Sequence, residues 1–143
     1  MQIKNKKARF NYNLLEDFET GIELKGGEVK SIKQGFADLS ASYAKFLQGE
    51  LYLINANIPT VQNNLDATRA RKLLLHKKEL VSIMTKIKAK KLTLVPISLY
   101  TRGRLVKVKL ALAKRKKGFE KKESLKKKDM QREIEKTLLS GKN

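Results

Sequence analysis

Short strand-like runs joined by glycine-containing turns, with few helical stretches between them, predict a mainly β fold for this chain. The arrangement expected is a small closed antiparallel β-barrel of the oligonucleotide-binding type, with flanking helices and a basic C-terminal tail. Three observations carry this expectation. Two segments read as hairpins, Val106–Leu112 alternates apolar and lysine positions at its start, and the C-terminal part is the densest in net charge.

Taken in order, Asn11–Leu24 reads as a strand that ends at Gly26-Gly27. Glu28–Gln34 reads as a short helix closed by Gly35, with Val29 and Ile32 on one side. Ser42–Phe46 and Leu51–Ile58 form a hairpin around Leu47-Gln48-Gly49-Glu50. Lys77–Lys90 is a longer helix: Leu80, Met84 and Ile87 recur at helical spacing, flanked by Val81 and Ile83, beneath a lysine-rich surface. Leu92–Tyr100 and Leu105–Leu112 flank Thr101-Arg102-Gly103-Arg104 as a second hairpin. Its returning strand turns Val106, Val108 and Leu110 inward, and Lys107 and Lys109 outward together. The segment Leu112–Asn143 carries 12 Lys and Arg against 5 Asp and Glu, and it has almost no core-forming clusters. The chain therefore divides into a barrel over residues 1–112 and a tail over residues 113–143, mobile alone and ordered on a partner.

The whole chain has 143 residues and a formal net charge of +19, from 33 Lys and Arg against 14 Asp and Glu. Surplus cations on a small protein seek polyanions. There is no cysteine, no tryptophan and one histidine, which excludes disulfides, thiolate zinc sites and a Cys nucleophile. No metal and no cofactor is expected, and catalysis is not expected either. Gly26-Gly27 lacks the Gly-Lys-Ser/Thr that would complete a phosphate-binding loop. No apolar run approaches the roughly 20 residues of a membrane span, and Met1–Lys7 is polar, so a soluble, cytoplasmic protein is expected.

Several groups are suited to RNA contact. Lys107 and Lys109, with Arg102 and Arg104 in the adjoining turn, place four cations near one edge of the second hairpin, where lysines also serve simply to solvate an edge. The stretch Thr68–Lys78 interleaves Arg69, Arg71 and Lys72 with Leu73, Leu74 and Leu75. Its guanidiniums fork onto phosphates and stack on bases, while its leucines read more simply as core anchors. His76, the single histidine, heads a helix and is unsuited to metal binding alone. Glu16, Asp17 and Glu19 precede Gly21; such acids read as surface groups, or as acceptors for base edges and 2′-hydroxyls. Beyond the barrel, Lys114–Leu139 has helical composition that is marginal in isolation. These features fit an RNA-binding protein, such as a structural ribosomal protein or a general single-strand RNA binder on a similar barrel; a nuclease fits poorly.

Together these stretches resemble the SsrA-binding protein family. The resemblance runs from Asn5-Lys6-Lys7-Ala8-Arg9 through Phe18–Ile22, Gly27–Ile32 and Arg69–His76. It continues through Thr93–Pro96, Val106–Val108 and Ala113-Lys114 with Lys116-Lys117. It implies a barrel that binds the tRNA-like domain of transfer-messenger RNA and delivers it to stalled ribosomes. The tail would enter the decoding centre and the empty mRNA channel as a helix. Elongation factor Tu and alanyl-tRNA synthetase become indirect partners through the RNA. Family RNA contacts fall on Asn5, Glu19, Leu74, His76 and Lys107, within a wider set of Lys7, Lys30, Arg69, Arg71, Lys72 and Lys109. The ribosomal part falls on Lys114, Lys116 and Lys117 with the motif Phe119-Glu120-Lys121-Lys122. Three departures stand out. Arg115 replaces a family glycine, which leaves Gly118 as a hinge candidate. Glu120-Lys121-Lys122 stands for Asp-Lys-Arg, and the segment between Ile58 and Asp66 is shorter than usual.

Overall fold

A computed structural model describes residues 2–60 and 66–117. Its elements are β1 (Gln2–Lys4), α1 (Lys6–Asn11), β2 (Tyr12–Ile22), α2 (Gly26–Lys33), β3 (Tyr43–Leu47), β4 (Glu50–Ile54), β5 (Arg71–Leu74), α3 (Lys77–Lys90), β6 (Thr93–Arg102) and β7 (Leu105–Arg115). The antiparallel sheet runs β1-β6-β3-β4-β5-β2-β7, and β7 also pairs with β6. Six strands thus form a ring of hydrogen-bonded neighbours, with β1 added outside it on β6. Closure leaves few free edges to template aggregation.

The core follows from alternation. Val106, Val108, Leu110 and Leu112 of β7 are buried, as are Leu51 and Leu53 of β4 and Leu94 and Leu99 of β6. Each such side chain contributes about 1.5–3 kcal/mol by leaving water. Ile32 of α2 and Ile83 of α3 complete the same cluster, with Val29, Leu80 and Ile87 packed against it. Val81, expected beside that stripe, is exposed instead, because it lies off the face that Ile83 turns inward.

Both hairpins form on their expected glycines. Gln48 and Gly49 both have positive φ (52° and 79°), as a two-residue type I′ loop requires. In the second hairpin, Arg102 pairs with Leu105 around Gly103, whose φ is 62°.

Three expectations need correction. β4 stops at Ile54 rather than Ile58, because Asn55 takes a left-handed turn (φ 62°). Ala56 and Ile58 are nevertheless buried, and Asn57 bridges to Asp38. β7 continues to Arg115, and Ala113 is fully buried, so the barrel's last strand passes the boundary drawn at Ala113. Arg115 pairs with Tyr12 in extended backbone, and the Lys116 N–H donates to the Asn11 carbonyl at 2.9 Å, so position 115 belongs to the sheet, in keeping with a residue that is not glycine. Finally, β1, α1 and β5 stand where no element was expected. Gly118, the motif Phe119-Glu120-Lys121-Lys122 and most of the 58–66 segment's difference lie outside the described residues.

Candidate nucleic-acid interface

Residues paired across an antiparallel sheet point to the same face. Leu74 pairs with Gly21, Gly21 with Lys107, Lys107 with Tyr100 and Tyr100 with Gln2. One register row therefore crosses β5, β2, β7, β6 and β1. A second row joins Glu19, Lys109, Ser98 and Lys4. The inward neighbours Thr20, Ile22, Val106 and Val108 are buried, so these rows lie on the outside of the barrel.

Each position has a local reason. Gly21 lets Leu74 lie flat: a Cβ at position 21 would stand 3.2 Å from the Leu74 Cβ. Leu74 remains half exposed, an apolar surface for a base or ribose among cations. Lys107 has no ion-pair partner among the described residues, whereas Lys109 reaches Asp17 at 3.8 Å. Glu19 is held from two sides: its Oε1 accepts from Arg102 Nη1 at 3.2 Å and its Oε2 accepts from the Tyr100 hydroxyl. Glu19, Tyr100, Arg102 and Lys109, with Gln2 and Ser98, line an open cleft of about 620 Å³. Burial, then the hydrogen bond to Glu19, pushes the Tyr100 phenol up to about 12, so it stays a donor throughout the physiological range.

At the edge of this face, His76 is exposed and sits just ahead of α3, where its backbone N–H donates to the Glu79 carboxylate at 3.3 Å. Lys72 lies on the outer side of β5 and pairs with Glu50 at 2.7 Å. Lys7 on α1 and Lys30 on α2 are exposed but belong to neither row, and Arg104 is exposed at the hairpin tip. Lys114 is exposed on β7, ahead of Lys116 and Lys117 at the end of the described chain.

Three candidate contacts, Arg71, Arg69 and Asn5, are placed differently from expectation. Arg71 is fully buried: its Nε donates to Glu28 at 2.6 Å, Nη1 to the Ala56 carbonyl at 2.8 Å and Nη2 to the Ala67 carbonyl at 2.9 Å. No face of it remains for a phosphate. Arg69 donates Nε and Nη2 to the same carboxylate, so its guanidinium is largely committed as well. Both arginines tie α2 to β5 instead. Asn5 is also buried. Its side-chain amide donates to the Leu39 and Pro96 carbonyls at 3.2 and 2.9 Å, while its backbone N–H donates to Ile97 at 2.7 Å, the residue bulged between Pro96 and Ser98. Its Oδ1 is buried with no hydrogen-bond partner among the described residues.

Tyr100, Gln2 and Gly21 escape sequence reasoning, because their roles depend on which strands lie side by side. For Tyr100 the available signal was its place two residues before Arg102, near the end of a predicted strand.

Comparison with known proteins agrees with this geometry. Residues 2–140 match the family model described as SmpB protein. The chain is 47% identical over 138 residues to the SsrA-binding protein of Sulfurihydrogenibium sp. (strain YO3AOP1), covering 94% of this chain and 91% of that one. It is 46% identical over 140 residues to the SsrA-binding protein of Malacoplasma penetrans (strain HF-2), covering 95% and 96%. A solved chain described under "tmRNA-SmpB: a journey to the center of the bacterial ribosome" superposes with a TM-score of 0.68 at 46% identity, over 82% of this chain and 85% of that one.

Proposed function

This chain belongs to the SmpB protein family, and on that premise we propose that it is the adaptor that carries transfer-messenger RNA to stalled ribosomes. It acts by binding RNA and is not an enzyme. The observation that carries the reading is the outer face of β5, β2, β7, β6 and β1. There the half-exposed Leu74, Lys107 with no ion-pair partner among the described residues, and the fixed carboxylate of Glu19 lie on adjacent register rows. Lysines there attract phosphates without regard to sequence, whereas Leu74 and Glu19 reward a particular surface. Glu19, Leu74, His76, Lys107 and Lys109 are the contacts this face supports for the tRNA-like domain. Lys7, Lys30 and Lys72 add longer-range attraction. Asn5, Arg69 and Arg71 act from beneath, by holding the elements in place.

The segment that follows Arg115 takes the second role. Lys116, Lys117 and the motif Phe119-Glu120-Lys121-Lys122 face small-subunit RNA in the decoding centre and the mRNA channel. A channel already filled by mRNA excludes them through sterics and through its own phosphates. Elongation factor Tu and alanyl-tRNA synthetase join through the RNA, in the cytoplasm. No helix among the described residues is long and apolar enough to cross a membrane.

Because β7 runs to Arg115, the dividing truncation belongs after Lys117. A chain ending there is expected to bind transfer-messenger RNA as the full protein does but to support no tagging on stalled ribosomes. Lost RNA binding would refute the division of labour. In gel-shift competition, ribosomal and unstructured RNA should displace transfer-messenger RNA poorly; equal competition would point to a general RNA binder.

A further inference from the structure

The carboxylate of Glu19 is more constrained than a polar surface group needs to be. Its register neighbour Lys109 turns to Asp17 instead, and Glu19 is gripped by Arg102 and by the Tyr100 hydroxyl, one donor on each oxygen. A carboxylate offers about four acceptor positions, so these two donors leave about two, one on each oxygen. Both oxygens belong to a group that lines the open cleft with Gln2, Ser98 and Lys109. Because the Tyr100 hydroxyl stays a donor and the Arg102 guanidinium donates from the other side, the group between them is held as an acceptor in a set orientation.

Two neighbouring acceptors without a donor discriminate among RNA bases. The Watson–Crick edge of guanine carries two adjacent donors, the N1–H and the 2-amino group. Adenine and cytosine each set an amino donor beside a ring-nitrogen acceptor, and uracil sets one imide donor between two carbonyls. Against a carboxylate, each of those three brings an acceptor toward an anion, which is repulsive in a partly desolvated cleft. An edge of this kind is free only on an unpaired nucleotide, the form in which proteins read RNA bases. Lys107, with no ion-pair partner among the described residues, lies one register row away for the adjoining phosphate.

We propose that the Glu19 cleft is a subsite for the Watson–Crick edge of an unpaired guanine, with Glu19 as the reader and Tyr100 as a positioning residue that acts through it. The proposal rests on the reading of this protein as a transfer-messenger RNA adaptor.

The test uses the full chain and the tRNA-like domain of transfer-messenger RNA, with inosine replacing guanosine at unpaired positions one at a time. Inosine keeps N1–H and lacks the 2-amino group. At one position the unaltered protein should lose roughly tenfold or more in affinity, the scale of a hydrogen bond to a charged group. Glu19→Gln should bind guanosine RNA roughly tenfold more weakly and lose nothing further with inosine. Any RNA refolding caused by inosine weakens both proteins alike, so the ratio isolates the contact. Tyr100→Phe keeps the ring and removes the hydroxyl. It should weaken binding several-fold, leave the salt dependence unchanged because no phosphate contact is lost, and add nothing in the Glu19→Gln background. A merely structural tyrosine would weaken binding in both backgrounds and lower the melting temperature. Equal inosine effects in the two proteins at every position, or additive effects of Tyr100→Phe and Glu19→Gln, overturn the proposal while leaving the adaptor reading intact. If the unaltered protein shows no preference for this RNA over unstructured competitor, both fall.

Discussion

Glu28 is the carboxylate on which Arg69 and Arg71 converge. It is fully buried near the start of α2, where it accepts from the Lys25 backbone N–H at 2.8 Å and from the guanidiniums of Arg69 and Arg71. Burial opposes its ionisation, yet the bonds from Arg69, from the Lys25 backbone and from Arg71, with the charge of Arg71, hold its carboxyl below the usual range. A folded-state value below the unfolded one stabilises the protein above the unfolded pKa. That contribution is lost as the pH falls through the folded value. Stability against urea should therefore decline on acidification below about pH 4, and Glu28→Gln should flatten that limb. Glu28→Ala should cost about 3–5 kcal/mol, because it strands a buried guanidinium. An unchanged urea midpoint would show that the network is dispensable.

At the scale of elements, legibility followed local pattern. α3 is predicted over Lys77–Lys90 and spans those residues, because its apolar spacing and its lysines separate onto two faces. β7 is recognisable from Val106-Lys107-Val108-Lys109, and the same alternation placed Lys107 and Lys109 on the outer face. β5 was not legible. It has four residues, and its inward positions hold Arg71 as well as Leu73, so only a partner 43 residues away explains the pattern. β1 and α1 are too short to show a period at all. The candidate site divides in the same way: Glu19 and the lysines were visible along the chain, whereas Tyr100 and Gly21 acquire their roles only from strand order. Turn chemistry, by contrast, was fully local. Gly49 has a φ of 79° and nothing within 4 Å of where a Cβ would stand, so Gly49→Ala meets backbone strain alone. It should lower unfolding stability by about 1 kcal/mol with RNA affinity unchanged. A neutral result would mean that the β3–β4 loop readily adopts another turn.

For the molecule as a whole, the +19 charge makes attraction to RNA general, and on the proposed reading the arrangement of a few groups makes it selective. The two contributions separate on varying salt. Lys107→Ala should weaken binding to every RNA and reduce the slope of log affinity against log salt by about 0.7–0.9. Leu74→Ala should leave the slope as it is and narrow the margin between transfer-messenger RNA and unstructured competitors. Identical slopes for Lys107→Ala and the unaltered protein would remove that lysine from the phosphate contacts.

The long β2–β7 ribbon gives this division a dimension. Gly21 meets Lys107 at one end of it and Tyr12 meets Arg115 at the other. At about 3.3 Å per residue, the step from Lys107 to Arg115 measures roughly 26 Å. The outer register rows and the exit of the chain toward its C-terminus are thus held apart by a stiff spacer of set length. Lengthening both strands by two residues would keep every side chain on its own face and move the two ends about 6.6 Å further apart. On the proposed reading the ribbon is a ruler between two RNA-facing regions, and its length is a property on which selection can act separately from either surface.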